Sequence, residues 1–389
     1  MQSMIARERV GNLLQHKPVD RASFMESLWP ETVARWTDEG HLKKNEDLAI
    51  HFKMELCQAG WINDIANLDT PDTIVEENEE TKLVRNGNGA LLRWWKNKSG
   101  TPEHVDFLVK DRAGWEQHIK PFLKPDRRRV DFECYRREKK LAAERQEFFF
   151  WGGVNVFEQM CPMCGHEYML MGMALDPDWV RDMTKTYADL TIAMWEMLFA
   201  EEGLPDGIFF YEDMGFKEKP FMSPAMYREL IMPAHKRTCA WAHSKGLRVI
   251  MHSCGFVEPL VPHMIEAGID MLQAMEVKAG MDMVRLNKLY GDKIGFMGNI
   301  DIREIISNDR DRIDAELKKK ILPLMATRTP YILSSDHSTP PDVDYESFLY
   351  FRDRGLELAR YAERRSAGVK EFGSMGVKML DFILPYILE

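Results

Sequence analysis

The sequence predicts an α/β protein built as a (β/α)8 barrel (TIM barrel), with an N-terminal extension that contains a β-hairpin. From about residue 148, short apolar runs typical of strands alternate with longer amphipathic segments typical of helices, which indicates a parallel sheet. Almost every apolar run also ends in polar residues. A closed barrel collects a site from the C-terminal ends of all its strands, whereas a doubly wound sheet concentrates it at one switch point, so the pattern favours the barrel.

The strands and helices of the predicted barrel can be placed in order along the chain. The predicted strands are Phe148–Val154, Gly207–Tyr211, Arg248–Met251, Met271–Ala274, Ile294–Met297 and Tyr331–Leu333. The predicted helices cover residues 177–202, 223–246, 257–268, 280–290 and 342–366. Ser223 and Pro224 support one helix start, because serine is a favoured N-cap and proline is favoured at the first helical position.

The remaining length is assigned to the N-terminal part of a single domain spanning 1–389. A typical barrel takes about 250 residues, so residues 1–147 carry an extension and insertions. Asn86-Gly87-Asn88-Gly89 between 82–85 and 90–96 predicts a β-hairpin, and the charged segment 126–147 predicts an exposed helix. The apolar tail 377–388 is predicted to pack on the barrel or on a second subunit, which leaves a homodimer open.

Composition excludes several classes of protein. Hydrophobic residues make up 45% and charged residues 29%, which is typical of a globular chain. A net charge of −10 argues against nucleic-acid binding, and no apolar run is long enough to predict a membrane span. The first 21 residues lack the apolar stretch of a signal peptide, and six scattered cysteines, Cys161 and Cys164 among them, favour free thiols. We therefore expect a cytoplasmic protein.

The segment Val249–Gly255 carries the strongest candidate site. Residues i and i+2 of a strand point to the same face, so His252 and Cys254 converge, and both are good zinc ligands. The alternative is a hydrogen-bonded barrel histidine beside a small buried thiol. Polar residues that end the other runs are expected at the same end of the barrel: Glu212, Asp213, Gln273, Glu276, Asn299, Asp301, Asp336 and His337.

The C-terminal half of the chain contains a series of motifs whose order is informative. They are Ser223-Pro224 with Pro233, Lys245-Gly246-Leu247, His252-Ser253-Cys254-Gly255, Glu266-Ala267-Gly268-Ile269-Asp270, Tyr290-Gly291-Asp292-Lys293, Gly298-Asn299-Ile300-Asp301 and Ser335-Asp336-His337. Taken together, these motifs resemble the uroporphyrinogen decarboxylase-like (URO-D) superfamily of (β/α)8 enzymes, and the resemblance extends more weakly from Pro102 to Trp115. The combined pattern is specific for the superfamily but not for one reaction.

The decarboxylase branch of this superfamily implies an arginine-rich segment after the first strand, to hold the carboxylates of uroporphyrinogen. This chain has Phe24-Met25-Glu26-Ser27-Leu28-Trp29-Pro30 there. An acid and bulky apolar groups would repel an octacarboxylate and offer it no bidentate partners. Asp64 is a weak match to the catalytic aspartate of that branch. Decarboxylation of a tetrapyrrole is therefore kept as the alternative function.

The methyltransferase branch implies methyl transfer between a small methylated compound or thiol and a corrinoid (cobalamin) carried by a separate protein. Its zinc members use a His-x-Cys and a later cysteine. His252 and Cys254 match the first two ligands, but no cysteine follows Cys254, so His337, Asp336 or Glu212 would complete the shell.

Other superfamily members lack zinc, and there the resemblance implies acid, base or hydrogen-bonding roles for His252, Glu212 and Asp336. The residues assigned to cofactor binding are Gln273, Asn299 and Asp301. Four aromatic residues are expected to wall a cation or a ring: Trp29, Trp151, Phe157 and Tyr211. A further alternative is a non-catalytic protein that binds a corrinoid or tetrapyrrole.

Overall fold

An eight-stranded parallel sheet forms the centre of the molecule. The structure is a computed structural model that describes residues 4–97 and 100–361. Its strands are β1 (Ser23–Phe24), β2 (Leu56–Gly60), β3 (Thr73–Glu77), β4 (Thr81–Arg85), β5 (Leu91–Trp95), β6 (Glu103–Asp106), β7 (Phe148–Val154), β8 (Gly207–Tyr211), β9 (Arg248–Ser253), β10 (Met271–Ala274), β11 (Gly295–Gly298) and β12 (Tyr331–Leu333). The parallel sheet has the order β1-β12-β11-β10-β9-β8-β7-β2.

The two edges of this sheet approach each other. The backbone N–H of Glu55, just before β2, donates to the carbonyl oxygen of Phe24 in β1 at 3.0 Å. Strands that neighbour each other in space also follow each other in the chain, apart from the insertion of β3–β6, as a (β/α)8 barrel requires. The predicted fold class is confirmed.

Helices surround the barrel and connect its strands. They are α1 (Ala6–Leu13), α2 (Pro30–Asp38), α3 (Leu48–Phe52), α4 (Arg112–His118), α5 (Phe132–Arg145), α6 (Val156–Leu175), α7 (Pro177–Glu202), α8 (Pro224–Met226), α9 (Met232–Ser244), α10 (Val261–Ala267), α11 (Met283–Tyr290), α12 (Ile302–Ile306), α13 (Arg310–Thr327) and α14 (Tyr345–Leu358). Ser223 caps α8, since its Oγ accepts the N–H of Met226 at 3.1 Å, as the sequence predicts.

The N-terminal part of the chain contributes more to the barrel than the sequence indicates. It supplies β1 and β2, which the apolar pattern does not reveal because one is two residues long and the other contains Gln58. The predicted hairpin is present as β4 and β5, and it is the centre of an antiparallel sheet with the order β3-β4-β5-β6.

The charged segment 126–147 is only partly the exposed helix that its composition predicts. Helix α5 covers most of it, but Arg129 is 2% exposed. Its guanidinium donates to the carbonyl oxygens of Asn63 and Ile65 at 2.8 and 2.7 Å. Arg129 is buried because it satisfies backbone carbonyls of the loop after β2, a demand that the local sequence does not show.

Two further sequence predictions concern cysteines and chain ends. All six cysteines lie in the described residues and all are free thiols, as predicted. The apolar tail 377–388 lies outside the described residues. Among the described helices, none has the length and apolar character needed to cross a bilayer.

The barrel interior is apolar towards the N-terminal ends of the strands and polar towards their C-terminal ends. Inward-facing Phe209, Ile250 and Met271 belong to one buried cluster, to which Val10 and Leu13 of α1 also belong. Two residues further along the same strands stand Tyr211, His252 and Gln273, on the same face because side chains alternate along a strand. Helix α1 therefore closes the lower end of the barrel, and the polar layer lies at the mouth.

Candidate functional site

The polar layer at the barrel mouth is organised by side-chain hydrogen bonds between strands. The hydroxyl of Tyr211 (β8) donates to Oε1 of Gln58 (β2) at 3.0 Å. Nδ1 of His252 (β9) is hydrogen-bonded to Oε1 of Gln273 (β10). Because an amide oxygen only accepts, Nδ1 of His252 carries the proton and Nε2 faces the opposite direction. Gln273 thus fixes the orientation of the imidazole.

Three potential metal ligands meet on the Nε2 side of this imidazole. Nε2 of His252 lies 3.2 Å from Sγ of Cys254 and 3.1 Å from Oδ1 of Asp213. The ligand atoms of all three residues lie within 4.8 Å of one another. The backbone N–H of Cys254 donates to Oδ1 of Asp213 at 2.9 Å, which holds the carboxylate in place. We call these three residues the metal-ligand cluster.

The donor set of the metal-ligand cluster fits zinc. Imidazole nitrogen, thiolate sulfur and carboxylate oxygen are the three ligand types that zinc takes in proteins, and three protein ligands leave a fourth position for substrate or water. Gln273 is placed as the partner that commonly orients a ligating histidine from behind. Of the sequence predictions, His252 and Cys254 come together as expected, and Asp213 is their neighbour.

Electrostatics couple the members of the cluster. Burial alone would lower the pKa of His252, but its hydrogen bonds to Asp213 and Cys254 raise that pKa well above its ordinary value. Burial alone would raise the pKa of Asp213, yet the bond to His252 lowers it. Burial raises the pKa of Cys254. Without a metal, the imidazolium and the Asp213 carboxylate therefore form an ion pair beside a neutral thiol.

Glu212 does not reach the metal-ligand cluster, contrary to the prediction of a ligand or catalytic group. It follows Tyr211, and successive strand residues point to opposite faces, so its side chain lies outside the barrel wall. It is fully buried, and Nε2 of His235 donates to its Oε1 at 3.0 Å. Its oxygens also accept the N–H groups of Phe157 and Glu158 at the start of α6. Glu212 is placed to position α6.

The same alternation could have identified Asp213 from the sequence. Phe209 and Tyr211 face inward, and Asp213 shares their parity. Glu158 lies close by, and burial together with the charges of Asp213 and Glu212 raises its pKa to about 8.

Asn299 and Asp301 hold the backbone together and do not line the cavity at the barrel mouth, unlike their predicted role as cofactor-binding residues. Asn299 is fully buried; its Oδ1 accepts from the N–H of Met283 and from Nζ of Lys320. Asp301 caps α12 and pairs with Arg303. Polar residues at strand ends have two uses, cavity lining and loop anchoring, and the sequence pattern does not separate them.

A cavity of about 260 Å³ occupies the barrel mouth. Its lining includes His252, Cys254 and Gln273, the last of which the sequence assigns to cofactor binding. Its full lining is Met25, Glu26, Ser27, Phe209, Tyr211, His252, Cys254, Gln273, Ala274, Met297, Ser334, Ser335, Asp336, His337 and Ser338. Since His252 and His337 both line it, the expected gathering of strand-end residues at one end of the barrel is confirmed for them.

Asp336 and His337 lie on a different part of the cavity from the metal-ligand cluster. Oδ2 of Asp336 accepts the N–H of Val277 at 2.8 Å, and Oδ1 accepts that of Ile302 at 2.9 Å. His337 is exposed and stacks on Trp29, with ring centroids 6.3 Å apart. The geometry does not bring either residue into the group of three ligand atoms.

The four aromatic residues predicted to wall the site divide into two pairs. Trp29 stacks on the cavity-lining His337, and Tyr211 lines the cavity directly. Trp151 and Phe157 are 3% and 0% exposed and belong to the core outside the barrel wall, so their predicted position is wrong. Trp61, which the sequence analysis did not single out, stacks on Tyr211 with centroids 5.3 Å apart.

Glu26 is the most unusual acid of the cavity. It is 6% exposed, and its oxygens accept the N–H groups of Ser335 and Ser27 at 2.7 and 2.9 Å. Burial raises the pKa of Glu26 to about 7 and that of Asp336 to about 6. We call Glu26 and Asp336 the acidic wall.

The raised pKa of Glu26 predicts a pH dependence of stability. Between pH 4.5 and about pH 7 the folded chain binds this proton more tightly than the unfolded chain, so the stabilisation is lost as pH rises. We expect the wild type to lose up to about 3 kcal/mol of unfolding free energy relative to Glu26→Gln between about pH 4.5 and pH 8. Urea unfolding at a series of pH values measures this difference, and parallel curves for the two proteins would contradict it.

Comparison with known proteins agrees with this architecture. The family model of uroporphyrinogen decarboxylase (URO-D) matches residues 150–354, more than half of the chain. The chain belongs to the URO-D family. No curated protein sequence matches this family member significantly.

Solved structures also resemble this URO-D family member. A methyltransferase from Methanosarcina mazei is 13% identical with a TM-score of 0.62, covering 91% of this chain and 99% of its own. A B12-independent methionine synthase from Shewanella sp. is 10% identical with a TM-score of 0.40, covering 75% of each chain. The first likeness supports the barrel fold, and the second is too distant to add to it.

Asp64, the weak match to a decarboxylase aspartate, does not line the cavity. Burial raises its pKa to about 6, and the nearby Arg129 counteracts this rise. Its position after β2 is thus next to the buried arginine that anchors the same loop.

Proposed function

We propose that this URO-D family member is a methyltransferase that moves a methyl group between a small methylated compound or thiol and a corrinoid carried by a separate protein. The observation that carries the proposal is the metal-ligand cluster at the cavity edge, where Asp213, His252 and Cys254 converge. The family membership and the fold shared with a methyltransferase are consistent with it.

The chain's own residues would prepare this site for zinc. Gln273 orients His252, and the N–H of Cys254 orients Asp213, so the ligand atoms are positioned before a metal arrives. Zinc bound there would favour the thiolate form of a substrate thiol, which is the nucleophilic form. A corrinoid would supply the cobalt that accepts or donates the methyl group. Tyr211 and Phe209 would wall the methylated group from water.

The composition of the cavity lining argues against the decarboxylase alternative. Among the described residues that line the cavity, none is lysine or arginine, while Glu26 and Asp336 are acids. An octacarboxylate would meet two carboxyl groups and find no guanidinium partner. The repulsion that the sequence predicts from Glu26 therefore agrees with its position in the cavity.

The proposal is tested by activity and metal content together. Purified protein should contain zinc, convert cob(I)alamin to methylcobalamin with at least one methylated thiol, ether or amine, and leave uroporphyrinogen unchanged. Absorption spectra follow the cobalamin, and chromatography follows the porphyrin products. Decarboxylation at about 1 per second or faster would overturn the proposal. Bound pigment with no methyl transfer to or from any donor would instead indicate a binding protein.

A further inference from the structure

The cavity has two chemically different sides that face each other across the barrel. In the order around the barrel, β9 is the fifth strand and β1 the first, so they stand opposite each other. His252 and Cys254 belong to the β9 side. Glu26 follows β1 and Asp336 follows its neighbour β12. The acidic wall therefore lies across the cavity from the metal-ligand cluster.

Glu26 is a buried carboxyl group that has no cationic side chain as a partner among the described residues. It is 6% exposed, and in the described part of the chain no lysine, arginine or histidine forms an ion pair with it. Its two oxygens are instead fixed by the N–H groups of Ser335 and Ser27. Buried carboxylates are ordinarily paired with a cation because an isolated buried charge is costly. A cavity beside such a group can hold the missing partner.

Asp336 is a second buried carboxyl group that borders the cavity. It is 1% exposed, and its oxygens are also fixed by backbone N–H groups, those of Val277 and Ile302. Within the residues that the structure describes, it forms no ion pair, and the nearby Arg303 is engaged by Asp301. Two oriented carboxyl groups thus border one cavity whose lining contains no lysine or arginine.

Besides its serines, the cavity that borders the acidic wall has apolar and aromatic side chains. Met25, Phe209 and Met297 line the cavity, and Tyr211 presents a ring to it. Aromatic faces and methionine side chains accommodate alkylated cations, since the ring quadrupole attracts positive charge and the alkyl groups gain apolar contact. A bare metal ion would gain nothing from this apolar surface. The combination fits a cation that carries carbon substituents.

We propose that the cavity binds a small organic ammonium ion, with its positive charge at Glu26 and Asp336 and its alkyl groups against Met25 and Phe209. This inference rests on the proposed function, because the ammonium compound would be the methylated substrate. Its nitrogen substituents would then extend from the acidic wall towards the metal-ligand cluster. The ligand supplies a positive charge beside Glu26 and Asp336, where the cavity lining has no lysine or arginine.

Compounds of similar shape but different charge show whether the cavity selects for positive charge. Choline and 3,3-dimethylbutan-1-ol have nearly the same shape, but only choline is a cation, and 3,3-dimethylbutanoate provides the opposite charge. Isothermal titration of the full-length protein should show choline binding at least about tenfold more tightly than the alcohol, and the anion not binding. Equal affinity for choline and the alcohol would overturn the proposal and indicate that Glu26 is a neutral hydrogen-bond donor.

Two variants assign the preference to the acidic wall. Glu26→Gln keeps the shape and removes the charge, so the preference for choline should fall to about threefold or less while the alcohol binds as before. Glu147→Gln is the matched control, because Glu147 is also 6% exposed but precedes β7 at the opposite end of the barrel. It should keep the wild-type preference. An unchanged preference in folded Glu26→Gln would contradict the assignment.

The titration is independent of methyl transfer. It needs neither a corrinoid nor turnover, so a selective cation site with no methyl transfer to cobalamin would refute the proposed reaction alone. Methyl transfer from neutral donors only, with no preference for choline, would refute the ammonium site alone.

Discussion

Under the proposed function, the double variant His252→Ala, Cys254→Ser is expected to lack the zinc and the methyl-transfer activity expected of the wild type. Two of the three converging ligand atoms disappear, and Asp213 alone does not hold the metal. Loss of a hydrogen-bonding partner behind a ligand already costs about 10–100-fold in affinity or activity, so loss of two ligands should cost more than about 100-fold. Elemental analysis after dialysis and the cobalamin assay measure both effects.

The matched control for this variant changes the same residue types elsewhere. His118 and Cys134 lie on α4 and α5, away from the barrel mouth, and neither belongs to the metal-ligand cluster. His118→Ala, Cys134→Ser should keep the wild-type zinc content and activity. Full zinc retention by the His252, Cys254 variant would exclude this site, whatever its effect on activity.

The second large effect is expected from His235→Ala, which changes a residue that is not itself a proposed ligand. His235 bridges Glu212 and Tyr227, with Nε2 3.0 Å from the carboxylate and Nδ1 2.9 Å from the hydroxyl. Both Glu212 and His235 are completely buried. Removing the imidazole takes a hydrogen-bond partner from the buried Glu212 and from the buried Tyr227, and each buried polar group that loses its partner costs about 1–3 kcal/mol. We expect a loss of about 3 kcal/mol in the free energy of unfolding.

His243→Ala provides the comparison for that measurement. His243 is hydrogen-bonded to Asp270 at 2.8 Å, but its side chain is 33% exposed. An ion pair this exposed contributes at most about 1 kcal/mol. Urea unfolding of both variants at one pH should show a larger loss in the free energy of unfolding for His235→Ala than for His243→Ala. If His235→Ala costs no more than His243→Ala, then the buried bridge is not what holds Glu212 and the start of α6.

The barrel and its mouth were predictable from the sequence to different degrees. Long apolar runs with alternating helices revealed six strands, and the ranges of β7, β8, β10 and β12 agree with the prediction. Strands β1 and β2 were not found, because their place in the sheet is set by pairing with β12 and β7, which lie far away in the chain. Local pattern does not contain that information.

The site residues also differ in how far local sequence predicts their positions. The spacing of His252 and Cys254 was sufficient to predict their convergence, because it depends only on the alternation within one strand. The inward position of Asp213 follows only when the alternation of β8 is continued past the strand end, whereas the sequence pattern favours Glu212 as the ligand. The acidic character of Glu26 was evident, but its burial depends on Ser335, which is 309 residues away.

Helix α1 closes the lower end of the barrel and leaves the cavity open towards the mouth. With Val10 and Leu13 packed into the lower end, a substrate of the proposed reaction would reach the cavity through the mouth. A corrinoid protein is too large to enter a cavity of about 260 Å³, so when docked it would cover the barrel mouth. If the proposed corrinoid protein docks at the mouth, the small molecule would have to enter before this partner arrives and could leave only after the partner has gone.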